Sequence, residues 1–488
     1  MSGLTSTLAL VEQTTEKLSA LERLEALCDA GSLQVMRSEV RGRRMGDRTS
    51  PNDGVIGATG LVGGRPIACF AQDPKYLGGS LGEVQAETIV RVLRTAGRAR
   101  MPVVSFIESA GARLQEGVAA LAGYGRIFNE NVALSGHVPQ ISVICGASAG
   151  GGSYSPALTD FVVMTKQASM FLTGPSVVKE VMGEDVDAAA LGGTKIHDRN
   201  GVCQLGAESD LEAVWLVREL LDHLPQHALE PPRRLPVLAP AEGPSDRAVP
   251  ESKRKVYDVR GVVRTLVDGG RLLELSPRWA RNMLTGFARL DGRAVGIVAN
   301  QPRYLGGVLD AAAATKAARF VRTCDLYGIP LVVLVDTPGF LPGTSQEKLG
   351  VIRHGAKLVH AFSAATVPRV TVVLRKAFGG AFIAMNSREL GADLVLAWPQ
   401  AQLGVMGGPQ AVDLVSRRAI AAADDPVAER ARLATEYERD SLTAEVAARE
   451  GVVDEVIEPF ETRVRLVAAL RVLDGSERRV SPNRNIPL

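Results

Sequence analysis

The amino-acid sequence predicts an α/β protein made of two copies of one domain, and three observations support this. The segment Gln72–Gly79 (QDPKYLGG) recurs 228 residues later as Asn300–Gly307 (NQPRYLGG). Short apolar runs alternate with helical stretches in each copy, which is typical of βαβ units with buried strands. Seven prolines lie between Pro225 and Pro250. Because proline lacks an amide donor, this stretch is a natural linker between the copies.

The repeat extends beyond its first match. At the same offset, Met101–Val104 pairs with Ile329–Val332, and Gly111 pairs with Gly339. Further pairs follow at slightly larger offsets: Gln115-Glu116 with Gln346-Glu347, Val138-Pro139 with Val367-Pro368, and Ala149–Gly152 with Phe378–Ala381. An interval of this length is too long for a solenoid repeat and indicates two whole domains. We place the boundary near residue 245, which gives domains 1–245 and 246–488.

The sequence pattern predicts the same order of secondary-structure elements in both copies. A β-hairpin is followed by a helix, a short buried strand, a second helix, another buried strand and a glycine cluster that opens a new helix. The predicted segments are a helix over Gly82–Arg98, first strands over Val103–Ile107 and Leu331–Val335, and second strands over Ile141–Cys145 and Val370–Leu374. The charged segment Asp425–Arg449 is predicted to be helical, and a solvated helix is the commoner explanation of its charge pattern.

The glycines between Gly57 and Gly63 resemble a dinucleotide-binding fingerprint, but their context does not fit one. That fingerprint needs a helix directly after the glycines, with its N-terminus at the pyrophosphate. Here the next residues, Gly64–Phe70, predict a turn and a strand. In the second copy the corresponding segment Leu290–Val298 contains an Asp-Gly hairpin turn. We therefore interpret both segments as hairpins.

Composition limits the class of protein. Apolar residues make up 46% of the 488 residues and charged residues 23%, and the net charge of +2 gives no reason to expect nucleic-acid binding. The N-terminus has no signal-peptide pattern, and no apolar run is long enough to span a membrane. The five cysteines include no C-x-x-C pair, which argues against a zinc ribbon and a disulfide framework. We expect a cytoplasmic protein.

Two glycine clusters carry the chemical prediction, Ser148–Tyr154 and Lys376–Phe382. Each follows an apolar run and opens a helix, whose first amides have no partner within the helix. Without a side chain in the way, a phosphate, carboxylate or enolate oxygen can approach these amides. The alternative is that the glycines only permit tight packing, and one isolated cluster would favour it. Two clusters at equivalent places, each with an upstream glycine loop (Ser109–Arg113 and Thr337–Phe340), favour paired oxyanion holes.

Side-chain catalysts are not evident in the sequence. It contains no G-x-S-x-G, no H-E-x-x-H and no Gly-Lys dipeptide, so a nucleophile elbow, a zincin site and a P-loop are not expected. His223 and His227 are four apart but lie at the edge of the linker with no third ligand nearby. His354 and His360 do not share a helix face as an i, i+4 pair would. We interpret His197 as a structural loop residue, and we expect no bound metal.

Several segments closely resemble the carboxyltransferase β subunits of biotin-dependent acetyl- and propionyl-CoA carboxylases. They are Val335–Glu347 (VDTPGFLPGTSQE), Gly192–Val202, Leu390–Pro399 (LGADLVLAWP) and Asn485–Leu488, and the similarity runs from about Ala20 to the end. The resemblance implies a pair of crotonase-like domains, each a ββα superhelix of the ClpP/crotonase type, assembled as a homohexamer. It also implies that the N-terminal domain binds acyl-CoA and that the C-terminal domain of a neighbouring subunit binds biotin.

The same resemblance assigns the site residues. The thioester oxygen of acyl-CoA would be held by Gly150 and Gly151, aided by Gly111 and Ala112. The ureido oxygen of biotin would be held by Gly380 and Ala381, aided by Gly339 and Phe340. One hole then stabilises the biotin anion left by release of CO₂, and the other stabilises the thioester enolate that attacks CO₂. Biotin itself takes the α-proton, so no protein general base is needed.

Further expectations concern partners and specificity. The chain contains no Met-Lys biotinylation motif and no ATP-binding lysine loop, so a separate biotin carboxylase/biotin carrier (α) subunit would deliver carboxybiotin. Ile383 stands where propionyl-CoA enzymes often have Asp, and Cys145–Ser148 stands where many relatives read Gly-Pro-Cys. These departures leave the choice among short acyl chains open. Two alternatives remain: a subunit of a biotin-dependent decarboxylase or transcarboxylase, and a non-catalytic scaffold subunit.

Overall fold

The computed structural model describes residues 17–240, 248–250, 252, 255–475 and 485. The chain folds into two compact units that divide between Pro232 and Arg233, and Asn485 belongs with the first unit. Over the described residues, each unit contains one eight-stranded sheet with the same order of neighbours along its main path. The chain is therefore a duplicated α/β protein, as the internal repeat predicts.

The division between the units lies earlier in the chain than the predicted boundary near residue 245. The segment after Pro232 is bonded to the second unit, because the Leu235 amide donates to the Gly292 carbonyl at 2.9 Å. The amide of Gly269 likewise donates to the Ala239 carbonyl at 2.9 Å. Near the end of the chain, the Asn485 side chain donates to Asp160 Oδ1 in the first unit at 2.8 Å. The proline-rich stretch is thus partly an edge of the second domain.

The first unit begins with an antiparallel hairpin and continues as a parallel sheet, in the order β1-β2-β3-β4-β5-β6-β8 with β7 beside β5. Its strands are β1 Gln34–Met36, β2 Val55–Val62, β3 Arg65–Gln72, β4 Val103–Ser109, β5 Gln140–Ala149, β6 Phe161–Thr165, β7 Ser169–Phe171 and β8 Leu205–Ala207. Its helices are α1 Ala20–Leu27, α2 Glu83–Ala99, α3 Val118–Leu134, α4 Gly151–Ala157, α5 Pro175–Met182, α6 Ala188–Gly192, α7 Thr194–His197 and α8 Asp210–His223.

The second unit repeats this topology in the order β16-β14-β13-β12-β11-β10-β9, with β15 beside β13. Its strands are β9 Leu272–Leu275, β10 Met283–Leu290, β11 Arg293–Asn300, β12 Leu331–Thr337, β13 Arg369–Phe378, β14 Leu394–Ala397, β15 Gln402–Gly404 and β16 Glu455–Val456. Its helices are α9 Val259–Leu266, α10 Ala311–Leu326, α11 Thr344–Leu349, α12 Val351–Ala364, α13 Gly379–Ala384, α14 Gly408–Val415, α15 Arg417–Ala422, α16 Pro426–Ser441, α17 Ala444–Arg449 and α18 Thr462–Val472.

The predicted elements are confirmed, with small shifts at their ends. The glycine-rich segment before Gly64 forms the antiparallel hairpin β2–β3, and its counterpart forms β10–β11. Each buried strand extends beyond its predicted C-terminal end, towards its glycine loop. The charged segment 425–449 forms two helices because Thr443 caps α17 and the preceding Leu442 is buried. No helix in the described part of the chain has both the length and the apolarity to cross a membrane.

The Gly-Gly pair of the repeat has a steric reason. A Cβ on Gly79 would lie 2.0 Å from the carbonyl oxygen of Glu108, and one on Gly307 would lie 2.5 Å from that of Asp336. Both glycines also have positive φ, which side chains disfavour. The repeated turn therefore packs its backbone directly against the C-terminal ends of β4 and β12. These are the strand ends that lead into the upstream glycine loops.

The structure changes the alignment of one matched pair in the repeat, Gln115-Glu116 with Gln346-Glu347, by one residue. Glu116 Oε2 accepts a hydrogen bond from the Glu83 amide at the start of α2, at 2.7 Å. In the second unit, Gln346 Oε1 accepts from the Ala311 amide at the start of α10, at 3.1 Å. Glu116 therefore corresponds to Gln346, whereas the sequence comparison paired it with Glu347. Each side chain ties the loop after the central strand to the helix before it.

Candidate active site

The first glycine cluster lies beside the upstream loop at the C-terminal ends of β4 and β5. Ser109, the last residue of β4, is in register with Ser148 near the end of β5. A Cβ on Gly111 would lie 3.4 Å from the Ala149 carbonyl oxygen, so the two loops are in contact. Both predicted loops of the first site are therefore brought together.

The amides of the first cluster differ in their partners. The Gly150 amide donates to the Phe171 carbonyl at 3.0 Å, so it is not free to hold a ligand oxygen. This corrects the sequence-based assignment of Gly150 as an oxygen donor. Gly150 instead makes the turn into α4 with a φ of 57°. Gly151 begins α4, where its amide has no acceptor within the helix.

The upstream loop offers a second amide. Leu81 pairs with this loop through its own amide to the Gly111 carbonyl at 2.8 Å and through the Arg113 amide to the Leu81 carbonyl at 2.9 Å. This pairing does not use the Ala112 amide, which lies between the two bonds. The Gly111 amide donates to Ser109 Oγ at 3.2 Å. Ala112 and Gly151 are therefore the two amides of the first site that are best placed to bind an oxygen.

The second unit repeats this arrangement. Leu309 pairs with the loop through the Gly339 carbonyl at 3.0 Å and the Leu341 amide at 2.7 Å, which leaves the Phe340 amide between them. The Gly339 amide donates to Thr337 Oγ1 at 3.3 Å, as Gly111 does to Ser109.

The register of the second cluster also differs from the sequence-based assignment. Gly379 has a φ of 60° at the turn and corresponds to Gly150. Gly380 therefore corresponds to Gly151, and Ala381 corresponds to Gly152, one residue further into the helix. The second pair of amides is Phe340 and Gly380.

An aromatic ring packs against each cluster, but it comes from a different element in each unit. In the first unit Tyr124 of α3 lies against Gly151, where a Cβ would be 2.5 Å from the ring carbon Cγ. In the second unit the ring belongs to Phe340 of the loop, and it lies 3.2 Å from a Cβ built on Gly355 of α12. The two surroundings therefore differ chemically, with a phenol in one and a phenyl ring in the other.

A buried carboxylate precedes each upstream loop and is paired with an arginine. Glu108 of β4 accepts from Arg23 of α1 at 3.2 Å, and Arg23 also donates to Asp210 at 2.8 Å. In the second unit, Asp336 of β12 accepts from Arg375 of β13 at 3.0 Å. Burial raises the pKa of Asp336, and the adjacent Arg375 opposes that shift. These ion pairs fix the strand ends from which the loops start.

Arg113 anchors the first loop directly after Ala112. Its buried guanidinium donates to Asp53 Oδ1 and to Glu116 Oε1, both at 2.7 Å, and to the Ser80 carbonyl at 3.0 Å. Burial raises the pKa of Asp53, and the Arg113 guanidinium lowers it. In the sequence, Arg113 is recognisable only as part of the loop, and neither Arg23 nor Tyr124 belongs to a motif. Their importance depends on partners far away in the sequence.

A groove of about 850 Å³ adjoins the second site, and the apolar side chains of α12 line most of it. Its lining includes Phe340, Val351, Ile352, Gly355 and Val359. The volume is in the range of pockets that hold small organic ligands. The second unit therefore combines the amides of Phe340 and Gly380 with an apolar surface beside them.

The remaining predicted residues have clear places. Ile383 lies on α13, three residues after Gly380, and its side chain is half-exposed. His197 contacts the Met170 carbonyl through Nε2 at 2.6 Å and Asn200 through Nδ1 at 3.2 Å, which supports a structural role. Within the described residues, no group of three or more His, Cys, Asp or Glu side chains could hold a metal ion.

Comparison with known proteins identifies the family. A family model described as carboxyl transferase domain matches residues 12–486. The chain belongs to the carboxyl transferase domain family. A propionyl-CoA carboxylase beta chain of Saccharopolyspora erythraea is 47% identical to this carboxyl transferase over 97% of the chain and 91% of the relative. A methylmalonyl-CoA decarboxylase subunit alpha of Propionigenium modestum is 43% identical over 98% and 94% of the two chains.

A solved structure supports the fold. The crystal structure of transcarboxylase 12S, described as a hexamer with methylmalonyl-coenzyme A and methylmalonic acid bound, has a TM-score of 0.92 to this carboxyl transferase. The two proteins are 45% identical, and the match covers 98% of this chain and 94% of the other. The prediction of two duplicated crotonase-like domains is therefore confirmed.

Proposed function

We propose that this carboxyl transferase moves a carboxyl group from carboxybiotin, held on a partner carrier protein, to the α-carbon of a short-chain acyl-CoA. The product would be malonyl-CoA or methylmalonyl-CoA, from acetyl- or propionyl-CoA. The observation that carries the proposal is the duplicated pair of amides, Ala112 with Gly151 and Phe340 with Gly380. A reaction with two developing oxyanions, one on each reactant, needs two such sites.

The first unit supplies the acyl-CoA site in this proposal. The amides of Ala112 and Gly151 donate to the thioester oxygen, and they donate more strongly as negative charge develops there. Gly111 and Gly150 shape the two turns through their positive φ angles. Removing one donor of this kind typically costs about 10²–10³ in rate. The amides therefore act as catalytic groups although no side chain is involved.

The second unit supplies the biotin site. The amides of Phe340 and Gly380 suit a ureido oxygen, with Gly339 shaping the loop and Ala381 lying one residue further along α13. The apolar groove along α12 suits the ring system and hydrocarbon arm of biotin. Biotin, when bound, supplies the carboxyl group and the ring nitrogen that accepts the α-proton. This division of labour agrees with a site built from main-chain groups.

The direction of the reaction is part of the proposal. Carboxylation is favoured by the propionyl-CoA carboxylase beta chain at 47% identity. A second candidate, carboxyl transfer out of methylmalonyl-CoA as in a decarboxylase or transcarboxylase, is favoured by the other two relatives. Both directions use the same half-reaction. A non-catalytic scaffold is disfavoured because both amide pairs are intact.

We further propose that the chain assembles as a homohexamer in the cytoplasm and works with a separate biotin carboxylase/biotin carrier subunit. Exposed apolar side chains near both sites support the assembly. Leu114, Val118 and Leu121 are exposed beside the first site, and Leu349 and Ile352 beside the second. Exposed apolar surface of this extent is typical of subunit interfaces.

The half-reaction can be tested without the unidentified carrier. The purified chain is incubated with methylmalonyl-CoA and free biotin, and acyl-CoA products are separated by chromatography. The carboxyl group leaves the α-carbon for the biotin ring nitrogen, and the proton of that nitrogen moves to the α-carbon. We expect biotin-dependent formation of propionyl-CoA. Equal product with and without biotin would contradict the proposal, and so would the absence of product at any biotin concentration from both methylmalonyl-CoA and malonyl-CoA.

The direction and the acyl preference need a second assay. The chain is combined with a biotin carboxylase/carrier subunit, ATP and bicarbonate, and acetyl-, propionyl- and butyryl-CoA are compared. ATP-dependent carboxylation of one of these substrates supports the carboxylase direction. Activity confined to methylmalonyl-CoA as donor supports the decarboxylase or transcarboxylase candidate.

A further inference from the structure

Tyr124 lies where both amide-bearing loops of the first unit meet. Its side chain is buried, and its hydroxyl is 3.4 Å from Ser109 Oγ. Ser109 Oγ in turn accepts a hydrogen bond from the Gly111 amide at 3.2 Å, within the loop that carries Ala112. The face of the Tyr124 ring supports Gly151, and the Gly152 N–H lies close enough to the phenol oxygen to favour its ionised form. One side chain therefore contacts both loops.

The loop after β5 depends on support from outside. The helix α4 has only seven residues, contains Pro156, and has no side-chain cap at Gly150. Helices this short are marginal without tertiary contacts. Burial raises the pKa of Tyr124 to about 12, so its hydroxyl stays protonated and can donate at neutral pH. Hydrogen bonds of this kind are often long before a ligand binds and shorten in the complex.

The second unit lacks this arrangement, although its backbone is the same. Thr337 Oγ1 stands in the place of Ser109 Oγ, and its bonds are to the amide and carbonyl of Gly339. The ring beside Gly380 is Phe340, which has no hydroxyl, and its Cε2 would lie 4.0 Å from a Cβ built on Gly380. The phenol is thus specific to the first of the two sites. If the shared backbone needed a phenol for its own stability, the second unit would also have one at this place.

We propose that Tyr124 is a positioning residue for the acyl-thioester site: its hydroxyl links the loop of Ala112 to the cluster of Gly151 through Ser109 and holds the two amides at the spacing that an enolate oxygen requires. This inference rests on the proposed function, because it assigns the acyl-CoA half of the reaction to the first unit. Tyr124 acts through the two amides and does not touch the reacting atoms.

The test uses Tyr124→Phe, which removes only the hydroxyl, in the assay with methylmalonyl-CoA and free biotin. We expect kcat to fall about tenfold, the effect of one hydrogen bond on a transition state, with the KM for biotin unchanged. Ser109→Ala should cause a similar loss, and the double variant should be no worse than either single variant, because both break one chain of bonds. Ser109→Thr should retain activity, since Thr337 serves in the second unit.

Controls separate this inference from the proposed function. Tyr437→Phe removes a phenol from α16, a helix that carries neither of the amide-bearing loops, and should leave kcat unchanged. Thermal unfolding should show that the variants remain folded, and if Tyr124→Phe does not fold, Ser109→Ala decides. An inactive wild-type chain would count against the proposed function. If the wild type is active, two results would overturn the role of Tyr124. One is an unchanged kcat in both Tyr124→Phe and Ser109→Ala, and the other is a rise in their KM for biotin as large as the fall in kcat.

Discussion

Gly151 and Gly380 occupy equivalent positions, but the space around them differs. A Cβ on Gly151 would lie 2.5 Å from the Tyr124 ring, so no side chain fits there. A Cβ on Gly380 would have its nearest neighbour, Phe340 Cε2, at 4.0 Å, an ordinary contact distance. Gly380 also has no positive φ that would require glycine. Packing within the described chain does not explain the glycine at 380, whereas the approach of a ligand oxygen in the proposed biotin site would explain it.

We therefore predict that Gly380→Ala leaves the free energy of unfolding within about 0.5 kcal/mol of wild type but lowers activity by about 10-fold to 100-fold. The added methyl group would stand where a ligand approaches the amide, and loss of one such donor costs about 10²–10³ at most. Steady-state kinetics with free biotin and chemical denaturation measure the two effects. A fully active variant would show that nothing approaches this amide.

Ile383 offers a prediction about specificity. Its half-exposed side chain lies on α13 close to Gly380. In the arrangement that the family resemblance implies, the second domain of a neighbouring subunit meets the acyl-CoA site. An apolar residue at position 383 would then stabilise apolar acyl contacts, while a carboxylate would have to be desolvated by a longer chain. We predict that Ile383→Asp changes the relative kcat/KM values for acetyl-, propionyl- and butyryl-CoA, by about 10–200-fold per methylene at most. Unchanged ratios would remove Ile383 from the specificity determinants.

One buried side chain of α1, Arg23, connects this helix to the first sheet through ion pairs, beside the buried apolar residues Leu24 and Leu27. Arg23 is fully buried and donates to Glu108 on β4 and to Asp210 at the start of α8. The arginine thus joins three elements that are distant in the sequence. It also neutralises the carboxylate that directly precedes Ser109 and the upstream loop.

We predict that Arg23→Met destabilises the protein by about 3–5 kcal/mol, because Asp210 would remain buried without its guanidinium partner and Glu108 would keep only the more exposed Lys17. Denaturant unfolding followed by circular dichroism measures the change. The matched control is Arg439→Met, since Arg439 forms an exposed pair with Asp440, and solvent screening makes the contribution of such pairs to stability small. If the two variants are equally stable, the Arg23 network does not hold α1 in place.

At the scale of the whole molecule, the exposed apolar side chains on α3 predict assembly. Val118 is 79% exposed and Leu121 is 60% exposed in the isolated chain. We expect light scattering to give six times the 51.7 kDa mass of one chain. Val118→Asp should lower that mass, because an interface would have to bury its charge.

A control variant and two outcomes decide the assembly prediction. Val464→Asp changes an exposed valine on α18 and should leave the mass unchanged if the α3 face is the interface. A wild-type mass of one chain would contradict the hexamer. An unchanged mass for Val118→Asp would exclude the α3 face from the interface.

The duplication, the α/β class and the location of the glycine clusters could all be predicted from the amino-acid sequence. These follow from local chemistry: alternating apolar runs predict strands and helices, and the repeated Tyr-Leu-Gly-Gly turn occurs in both halves because only glycine permits the backbone approach at Gly79 and Gly307. The prediction of a hairpin at residues 57–63 is confirmed for the same reason, because the turn and strand that follow the glycines are evident from the neighbouring residues alone.

Which amides of the two clusters remain without a backbone partner depends on contacts that form only in the folded chain. The Gly150 amide is occupied by Phe171 on a neighbouring strand, and this long-range bond is not encoded in the spacing of the glycines. Tyr124, Arg23 and Arg113 likewise act through partners far away in the chain. The division between the units lies at Pro232 and not near residue 245, because backbone hydrogen bonds join the segment after Pro232 to the second unit. Local patterns determine elements, whereas long-range hydrogen bonds and ion pairs determine which groups remain available to a ligand.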